Sequence, residues 1–379
     1  MGKNIPKLLY ASSDNADMRY LSGMYIPDRA ILLERAGKRT LLVSDLEYAR
    51  AREQCRGCEV LSLSEYRKKL KEKKREPTSA NVIQLLLRER KVKNVTVPRD
   101  FPAYLYERLR RKRGLKVSVA DNTLLPEREV KSREEIKAIE RVQRINEKAL
   151  RLALVMIRVA KVKRHRLYLD GKPLTSERIK QVLLRFYIDN GCDCPQGMIV
   201  SCGKHTALPH HHGTGQLYAN NPIILDLFPR DRESGYWADM TRTVVRGKAD
   251  RKLKRMYEAV REAQNAAFLE VKEGAKGSEV HGRVLEIYKA HGFETAVKGG
   301  VPQGMIHNTG HGLGLEIHEE PRLGPAYRGE SALKSGNVVT VEPGLYYLKT
   351  GGVRIEDLVV VQKNGCRNLT KAEKFLEIA

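Results

Sequence analysis

Apolar and polar positions alternate in the C-terminal third of the chain in a pattern that predicts an antiparallel hairpin between Asn337 and Val360. Two runs rich in β-branched residues flank a predicted turn at Lys349–Gly352. Each strand carries one carboxylate, Glu342 or Glu356, and the two positions sum to 698. The pairing centre therefore falls inside the turn. The two acids are predicted to lie opposite each other, where facing side chains are ~5 Å apart.

A second hairpin with the same feature is predicted upstream. The strand Ile223–Phe228 runs into a polar turn over Arg230–Gly235, and Tyr236–Val244 returns. Asp226 and Asp239 stand 13 positions apart, against 14 for the acids of the later hairpin. Facing like charges repel each other unless a cation lies between them. We interpret the two hairpins, each with facing acids, as two halves of one dinuclear metal site.

Residues 1–125 show strands alternating with helices, which predicts a small α/β domain with a partly parallel sheet. The predicted elements, in chain order, are a hairpin of Ala30–Glu34 and Thr40–Val43, a helix from Thr78 to Leu87, a strand at Asn94–Val97, a helix at Ala103–Lys112 and a strand at Lys116–Val119. No catalytic group of residues stands out in this part of the chain.

The domain boundary is placed near Asn122–Lys131, which gives a second domain over 126–379. Ser132 and Glu135 form a predicted capping box that opens a long helix. The elements predicted next are a polar connection at Lys161–Lys172, a helix at Ser176–Tyr187, a strand at Met198–Val200 and the first hairpin. Helices predicted at Leu253–Val271 and Ser278–His291 then precede the second hairpin. This repeat predicts a pseudo-twofold α+β domain with the acids at its centre.

Length and composition indicate a globular chain that is long enough for two domains. The 379 residues are 41% hydrophobic and 31% charged, and no apolar run approaches the ~18 residues of a membrane span. Met1–Pro6 lacks an apolar signal core, so we expect a cytoplasmic protein without membrane association. The six scattered cysteines predict no disulfide framework. Cys55 and Cys58 have zinc or redox spacing, but no second pair follows, and we interpret them as reduced thiols.

The formal charge of +24 bears on what the protein surface can bind and does not alter the predicted fold. Much of the excess lies in two basic runs, Arg67–Arg75 and Arg108–Arg113. Such runs can bind phosphate backbones, but aromatic residues for base stacking are sparse around them. A solvated basic face is therefore favoured over nucleic acid as a partner.

A glycine-rich segment between the hairpins, Ile306–Arg322, contains the imidazole best placed to join the four acids. Glycines flank His311 on both sides and allow the close backbone approach that a buried ligand needs. With this segment, the chain resembles the pita-bread metallopeptidases, the family of methionine aminopeptidases, aminopeptidases P, prolidases and creatinases. The segments that carry the resemblance are Asp226, Ala238–Thr243, Gly310–Gly314, Val341–Gly344 and Arg354–Asp357, with Asn15–Gly23 in the N-terminal domain.

The resemblance implies a creatinase-type N-terminal α/β domain, a pita-bread catalytic domain and a set of metal ligands. By it, Asp226 binds one divalent cation, while Asp239 and Glu356 bridge two. His311 and Glu342 complete the second site. Four carboxylates and one imidazole suit Mn²⁺ or Co²⁺, with Zn²⁺ or Fe²⁺ as alternatives. Two such cations activate a bridging water, and Glu342 is the expected proton shuttle.

Further site residues follow from the same resemblance. His210 and His318 match two histidines that contact the substrate and stabilise the tetrahedral intermediate. Arg322 matches an arginine that can bind the C-terminal carboxylate of a dipeptide, and an ordinary surface charge is the alternative. Arg354 is expected to orient the bridging acids without itself binding a metal.

The chain departs from the family pattern at one point and leaves some histidines unassigned. Phe228 and Pro229 follow the first aspartate where members have a glycine. This departure leaves the ligands in place and affects the rim of the pocket, and so the choice of substrate. We interpret His211, His212 and His307 as exposed or core histidines.

The predicted activity is hydrolysis of Xaa-Pro dipeptides, as in prolidases, by a homodimer. Aminopeptidase P activity on longer peptides is the alternative within the family. A non-catalytic pita-bread protein that binds nucleic acid or histones is the alternative from another class, and it is disfavoured because such relatives lack the five ligands. A creatinase-like amidinohydrolase ranks last, since it uses the fold without this set of metal ligands.

Overall fold

The computed structural model describes residues 5–55, 57–327 and 329–379, and the chain divides into two compact units, Met1–Arg128 and Glu129–Ala379. No helix in the described part of the chain is long and apolar enough to cross a membrane. Short 3-10 helices lie at Pro126–Glu129 and Gly203–Ala207.

The N-terminal unit is built on a six-stranded sheet. Its strands are β1 (Lys7–Ala11), β2 (Ala30–Arg35), β3 (Lys38–Val43), β4 (Cys58–Ser62), β5 (Asn94–Val97) and β6 (Lys116–Val119). They lie in the order β4-β3-β2-β1-β5-β6. β1 and β3 each pair with β2 antiparallel, whereas the other neighbours are parallel. The predicted partly parallel sheet is confirmed.

Helices cover both faces of this sheet. They are α1 (Ala16–Ser22), α2 (Asp45–Gln54), α3 (Leu63–Glu72), α4 (Ser79–Glu89) and α5 (Ala103–Arg110). Side chains alternate along each strand, so Leu8 packs with α3, α4 and α5 while Leu9 packs with α1 and α2. The first basic run begins within α3, whose Tyr66 and Leu70 are buried. The sequence analysis missed this helix because its apolar face is narrow.

The C-terminal unit repeats one order of elements twice. Its helices are α6 (Arg133–Val159), α7 (Ser176–Asp189), α8 (Arg251–Glu270) and α9 (Gly277–Ala290). Its strands are β7 (Lys161–Lys163), β8 (Arg166–Leu169), β9 (Lys172–Pro173), β10 (Cys192–Asp193), β11 (Ile199–Cys202), β12 (Pro222–Leu227), β13 (Arg230–Asp231), β14 (Met240–Arg246), β15 (Ala296–Lys298), β16 (Val301–Gln303), β17 (Gly310–Gly312), β18 (Glu319–Leu323), β19 (Val338–Val341), β20 (Gly344–Tyr347), β21 (Gly351–Arg354), β22 (Asp357–Gln362), β23 (Gly365–Asn368) and β24 (Glu377–Ile378).

Two sheets of this unit form the core with the helices. α6 and α7 pack on the sheet β11-β12-β14-β24, and α8 and α9 pack on the sheet β18-β17-β19-β22-β23. The predicted repeat of two helices, a strand and a hairpin is confirmed. The capping box that opens α6 is also present, since Ser132 Oγ accepts from Glu135 N at 3.2 Å and Glu135 Oε2 accepts from Ser132 N at 2.7 Å.

The prediction of a polar connection at Lys161–Lys172 is wrong. That segment forms most of the three-stranded sheet β7-β8-β9. The pairs Arg164-His165 and Asp170-Gly171 have positive φ at both positions, so two tight hairpin turns join the strands. Leu167 anchors the sheet, because it is fully buried in the core with α6 and α7. An Arg-His pair does not signal such a turn, which concealed the first hairpin.

Candidate metal centre

The later hairpin positions Glu342 and Glu356 at an interruption in its ladder. β19 pairs with β22 and β20 with β21, and paired positions in both ladders sum to 698, so the predicted register is confirmed. The N–H of Glu342 donates to Thr309 O at 2.7 Å, and that of Glu356 donates to Thr241 O at 3.1 Å. At the two acids the backbone therefore bonds to other segments rather than across the hairpin.

The turn of this hairpin is shorter than predicted, because Gly351 and Gly352 belong to β21. Their strand passes close to the 3-10 helix Gly203–Ala207. A Cβ on Gly352 would lie 2.0 Å from Thr206 O, so the backbone approach requires glycine there. The sequence analysis took this packing requirement for a turn signal.

The earlier hairpin holds its acids in a different register. In the β12–β14 ladder Asp226 pairs with Thr241, so Asp239 lies two positions before the partner of Asp226. The prediction of directly facing acids is therefore wrong for this hairpin. An offset of two positions keeps both side chains on the same face of the sheet, so the acids remain diagonal neighbours.

Side chains from both hairpins and from β17 converge in one cluster. Ligand atoms of Asp239, His311 and Glu356 all lie within 4.8 Å of one another. His311 Nε2 lies 3.3 Å from Glu342 Oε1 and 3.8 Å from Asp239 Oδ2. Asp226 is the fifth member, and its charge acts on the pKa of Asp239. The structure thus brings the five predicted ligands together.

His311 reaches the cluster on a strand that packs tightly against its neighbours. A Cβ on Gly310 would lie 1.9 Å from Thr340 O, and one on Gly312 would lie 2.4 Å from Glu320 O. Backbone atoms cannot move aside as a flexible side chain can, so glycine is required on both sides of the histidine. This is the close backbone approach that the sequence predicts.

The charges in the cluster fit a divalent cation. Burial, and next the charge of Asp226, raises the pKa of Asp239; burial and then Asp239 raise that of Glu356. Burial opposes ionisation of Glu342, yet the hydrogen bond and charge of His311 lower its pKa to about 2. Among the described residues, the buried Oδ1 of Asp239 has no hydrogen-bond partner. Crowded carboxylates with an unpartnered oxygen and one imidazole suit such an ion.

Arg354 links the acids of the two hairpins. Its Nη2 donates to Asp226 Oδ2 at 2.6 Å, and its Nε donates to Thr241 Oγ1 at 3.2 Å. Thr241 Oγ1 in turn donates to Glu356 Oε2 at 2.7 Å. Arg354 therefore contacts one acid directly and another through a hydroxyl. The sequence analysis missed Thr241, although its position two residues after Asp239 on the same strand face was the available signal.

His307, interpreted from the sequence as an exposed or core histidine, is half-buried and lies at this cluster. Its Nδ1 lies 2.6 Å from Asn308 O and 4.0 Å from Glu342 Oε2, and its Nε2 lies 2.9 Å from Tyr346 Oη. Arg354 Nη1 donates to that same hydroxyl at 2.6 Å. The hydroxyl hydrogen is therefore directed at His307 Nε2, and His307 donates from Nδ1 to the carbonyl of Asn308.

The remaining predicted residues lie around the cluster. The ring centroid of His318 lies 4.3 Å from that of His311, in an edge-on arrangement. Burial first, and then the charges of His311 and other neighbours including His210, lower the pKa of His318 to about 4. Arg322 pairs in register with His311, but its side chain is 62% exposed and forms an ion pair with Glu320. Arg322 is therefore an exposed residue whose ion pair is with Glu320 and not with one of the predicted ligands.

Known proteins resemble this chain along nearly its whole length. The family model of metallopeptidase family M24 matches residues 137–363, and that of the creatinase/prolidase N-terminal domain matches residues 9–130. The chain is 29% identical to an Xaa-Pro dipeptidase of Pyrococcus horikoshii over 99% of this chain and 96% of that protein.

Two solved structures extend these matches to the fold. The crystal structure of the prolidase from Pyrococcus horikoshii OT3 superposes with a TM-score of 0.77 at 28% identity, covering 98% of this chain and 95% of that one. An X-Pro aminopeptidase from Thermotoga maritima MSB8 gives 0.77 at 25% identity, covering 99% and 97%. The predicted fold class, a creatinase-type α/β domain followed by an α+β pita-bread domain, is confirmed.

Proposed function

The chain belongs to metallopeptidase family M24, and from that premise we propose that it is an Xaa-Pro dipeptidase with a dinuclear metal centre. Family membership makes it a metal-dependent peptidase. The metal centre is supported by the convergence of Asp239, His311 and Glu356, with Glu342 3.3 Å from the histidine. The Xaa-Pro specificity is supported by the similarity to the Pyrococcus horikoshii Xaa-Pro dipeptidase over 99% of the chain. The proposed ligands are Asp226, Asp239, His311, Glu342 and Glu356.

The proposed metals are two divalent cations, Mn²⁺ or Co²⁺ before Zn²⁺ or Fe²⁺, because the donor set is four carboxylates and one imidazole. When bound, such a pair lowers the pKa of a water and polarises a carbonyl. Asp226, Asp239 and Glu356 would be among the residues that hold these cations. Arg354 keeps Asp226 oriented through its 2.6 Å ion pair.

Proton transfer is assigned to Glu342. Its carboxylate lies at the edge of the cluster, 3.3 Å from His311 Nε2 and 4.0 Å from His307 Nδ1. A carboxylate in that position can accept the proton of the attacking water and deliver it to the leaving imino group of proline. His318 and His210 are proposed to donate hydrogen bonds to the carbonyl oxygen of the scissile bond as it gains negative charge.

Selection of dipeptides is assigned to Arg322. It lies on β18 directly across from His311, and its exposed guanidinium is held only by Glu320 among the contacts described. A free C-terminal carboxylate could replace that partner with a two-pronged hydrogen bond. The same exposure leaves room for a longer peptide, and aminopeptidase P activity is therefore the second candidate. The similarity to the Thermotoga maritima X-Pro aminopeptidase supports keeping it.

One assay panel tests this proposal. Xaa-Pro dipeptides, Xaa-Pro-Yaa tripeptides and a methionine-initiated peptide are each assayed with Mn²⁺, Co²⁺, Zn²⁺ and Fe²⁺. We expect the highest kcat/KM for the dipeptides; faster cleavage of tripeptides would favour aminopeptidase P, and cleavage of the methionine peptide alone would exclude both. A homodimer in the cytoplasm stays a prediction, which light scattering and fractionation would check.

A further inference from the structure

Two cysteines in the N-terminal unit face each other across the short link between α2 and β4. Cys55 follows the last residue of α2, and its N–H donates to Ala51 O at 2.9 Å. Cys58 is the first residue of β4 and is only partly buried, whereas Cys55 is 6% exposed. Both side chains pack at the same apolar cluster of the N-terminal unit, and each thiol shifts the pKa of the other. A buried thiol thus lies against a more accessible one.

Cys58 lies beside a cation on the same face of the sheet. The β3–β4 register puts Arg39 directly across from Cys58, and the β2–β3 register puts Glu34 across from Arg39. Arg39 Nη1 donates to Leu21 O at 3.0 Å, and Cys58 Sγ donates to the same carbonyl at 3.6 Å. The guanidinium and the thiol therefore converge on one atom. Glu34 is turned toward the β2–β3 turn, where its Oε1 accepts from Gly37 N at 2.7 Å.

The electrostatic setting distinguishes the two thiols. The hydrogen bond from Cys55 lowers the pKa of Cys58; burial opposes the change and Arg39 adds to it. The hydrogen bond to Cys58, followed by burial, raises the pKa of Cys55. Burial is the first cause that raises the pKa of the other cysteines, which are Cys192, Cys194, Cys202 and Cys366. Cys58 is therefore the thiol best suited to react as a thiolate.

We propose that Cys55 and Cys58 form a dithiol–disulfide site that exchanges with low-molecular-weight disulfides, a redox function that none of the peptidase chemistry requires. The reduced thiols that the sequence predicts are the dithiol form of this site. Gly57, with φ of 80°, gives the link between them a conformation that other residues rarely adopt, so the link can adjust as the sulfurs approach bonding distance.

The exchange has two steps, in each of which one S–S bond breaks, another forms and one thiol leaves. Cys58 first gives its proton to solvent; its thiolate then attacks one sulfur of a disulfide RSSR, so that a Cys58–SR bond forms and RS⁻ leaves and takes a proton from solvent. Cys55 then gives its proton to solvent and attacks Cys58 Sγ, which forms the protein disulfide and releases the second RS⁻, protonated in turn to RSH. The protein loses two electrons and two protons, and RSSR is reduced to two thiols.

The test uses the full chain, reduced and then incubated with oxidised glutathione before free thiols are alkylated and counted by mass spectrometry. Trypsin cleaves after Arg56, so Cys55 and Cys58 fall on different peptides that stay joined only by a disulfide. We expect that linked pair, with four of the six cysteines alkylated. Alkylation of all six, or a disulfide between other cysteines, would overturn the proposal.

Single variants test the order of attack. Cys55→Ser should stop at a glutathione adduct on Cys58, and Cys58→Ser should give neither adduct nor disulfide at this site. Cys366→Ser is the matched control, because Cys366 is also partly buried, and it should form the Cys55–Cys58 disulfide at the wild-type rate. An adduct on Cys55 in the Cys58→Ser variant, at the rate seen for Cys58, would contradict the assigned nucleophile.

Arg39→Gln tests the role of the cation. The alkylation rate of Cys58 at pH 7 should fall and its pH midpoint should move upward, since the charge of Arg39 helps to lower the pKa of this thiol. Arg39→Lys should recover part of the rate. An unchanged midpoint in a folded Arg39→Gln protein, checked by circular dichroism, would remove Arg39 from the proposal. None of these readouts depends on peptidase activity.

Discussion

The two hairpins of the C-terminal unit bring acids to one place by different means. In the later hairpin Glu342 and Glu356 face each other at a break between two ladders that share one register. In the earlier hairpin the ladder is continuous, and Asp239 is offset by two positions from the partner of Asp226. In both hairpins the two acidic side chains lie on the same face of the sheet. The site therefore requires a shared face and does not require that the acids lie directly opposite each other.

The acids of the earlier hairpin also differ in their partners. Asp226 has an ion pair of 2.6 Å with Arg354, which offsets its charge. Asp239 has a longer contact of 3.8 Å with His311 Nε2, and its Oδ1 has no hydrogen-bond partner among the described residues. Asp226 is therefore held by the protein itself, whereas we propose that Asp239 is compensated mainly by a bound metal. The predictions below test this difference.

The largest effect is expected from Asp239→Asn. Removing a carboxylate that is proposed to bridge the two metals should lower kcat/KM by about 10²–10³-fold, the scale seen when an electrostatic group essential to the chemical step is lost. The fold should persist, because the metal-free variant loses a repulsion and should melt no lower than the metal-free wild type. Asp193→Asn, a change in a partly exposed pair with Arg230, is the control and should keep full activity. Retained turnover in Asp239→Asn would contradict the bridging role.

Arg354→Gln should have a smaller effect of about 10–100-fold, seen mainly as weaker metal affinity. The arginine contacts Asp226 directly and Glu356 through Thr241, and groups that orient metal ligands contribute on this scale. Activity measured against Mn²⁺ concentration checks this, with Arg367→Gln at the surface pair with Glu140 as the control. If saturating Mn²⁺ restores nothing and the midpoint is unchanged, the orienting role is wrong.

Arg322→Gln should change substrate selection without changing the structure of the two hairpins. KM for an Xaa-Pro dipeptide should rise about tenfold, since a hydrogen-bonded carboxylate is lost, while kcat/KM for a tripeptide changes little. Steady-state kinetics on the two substrates give the comparison directly. An equal loss on both substrates would show that Arg322 does not recognise the free carboxylate.

The smallest effect is expected at Glu177, an acid whose compensation comes from hydrogen bonds instead of metal. Burial opposes ionisation, yet donors led by Gly215 N–H lower its pKa to about 2. A lowered pKa in the folded state adds stability above the unfolded value of ~4.3 and loses it as pH falls toward 2. Glu177→Gln should therefore melt slightly below wild type at pH 6 and converge with it near pH 2. Parallel melting curves across that range would contradict this assignment.

The sequence predicted the hairpins well, but it did not predict the side-chain contacts around them. The register of the later hairpin, in which paired positions sum to 698, could be predicted because the apolar runs on either side of its turn are symmetric. Thr241, Tyr346 and His307 were not assigned, because a hydroxyl or imidazole becomes part of this site only through neighbours on other strands. The hairpin at Arg164-His165 was missed because its turn uses residues that rarely adopt positive φ.

The central claim is that five side chains hold two cations between the hairpins. Anomalous X-ray diffraction from crystals of the full chain grown with Mn²⁺ tests it most directly. The account predicts two peaks ~3.5–4 Å apart, one touching Asp226, the other touching His311 and Glu342, and both touching Asp239 and Glu356. Peaks elsewhere, or none among these residues at saturating Mn²⁺, would contradict it.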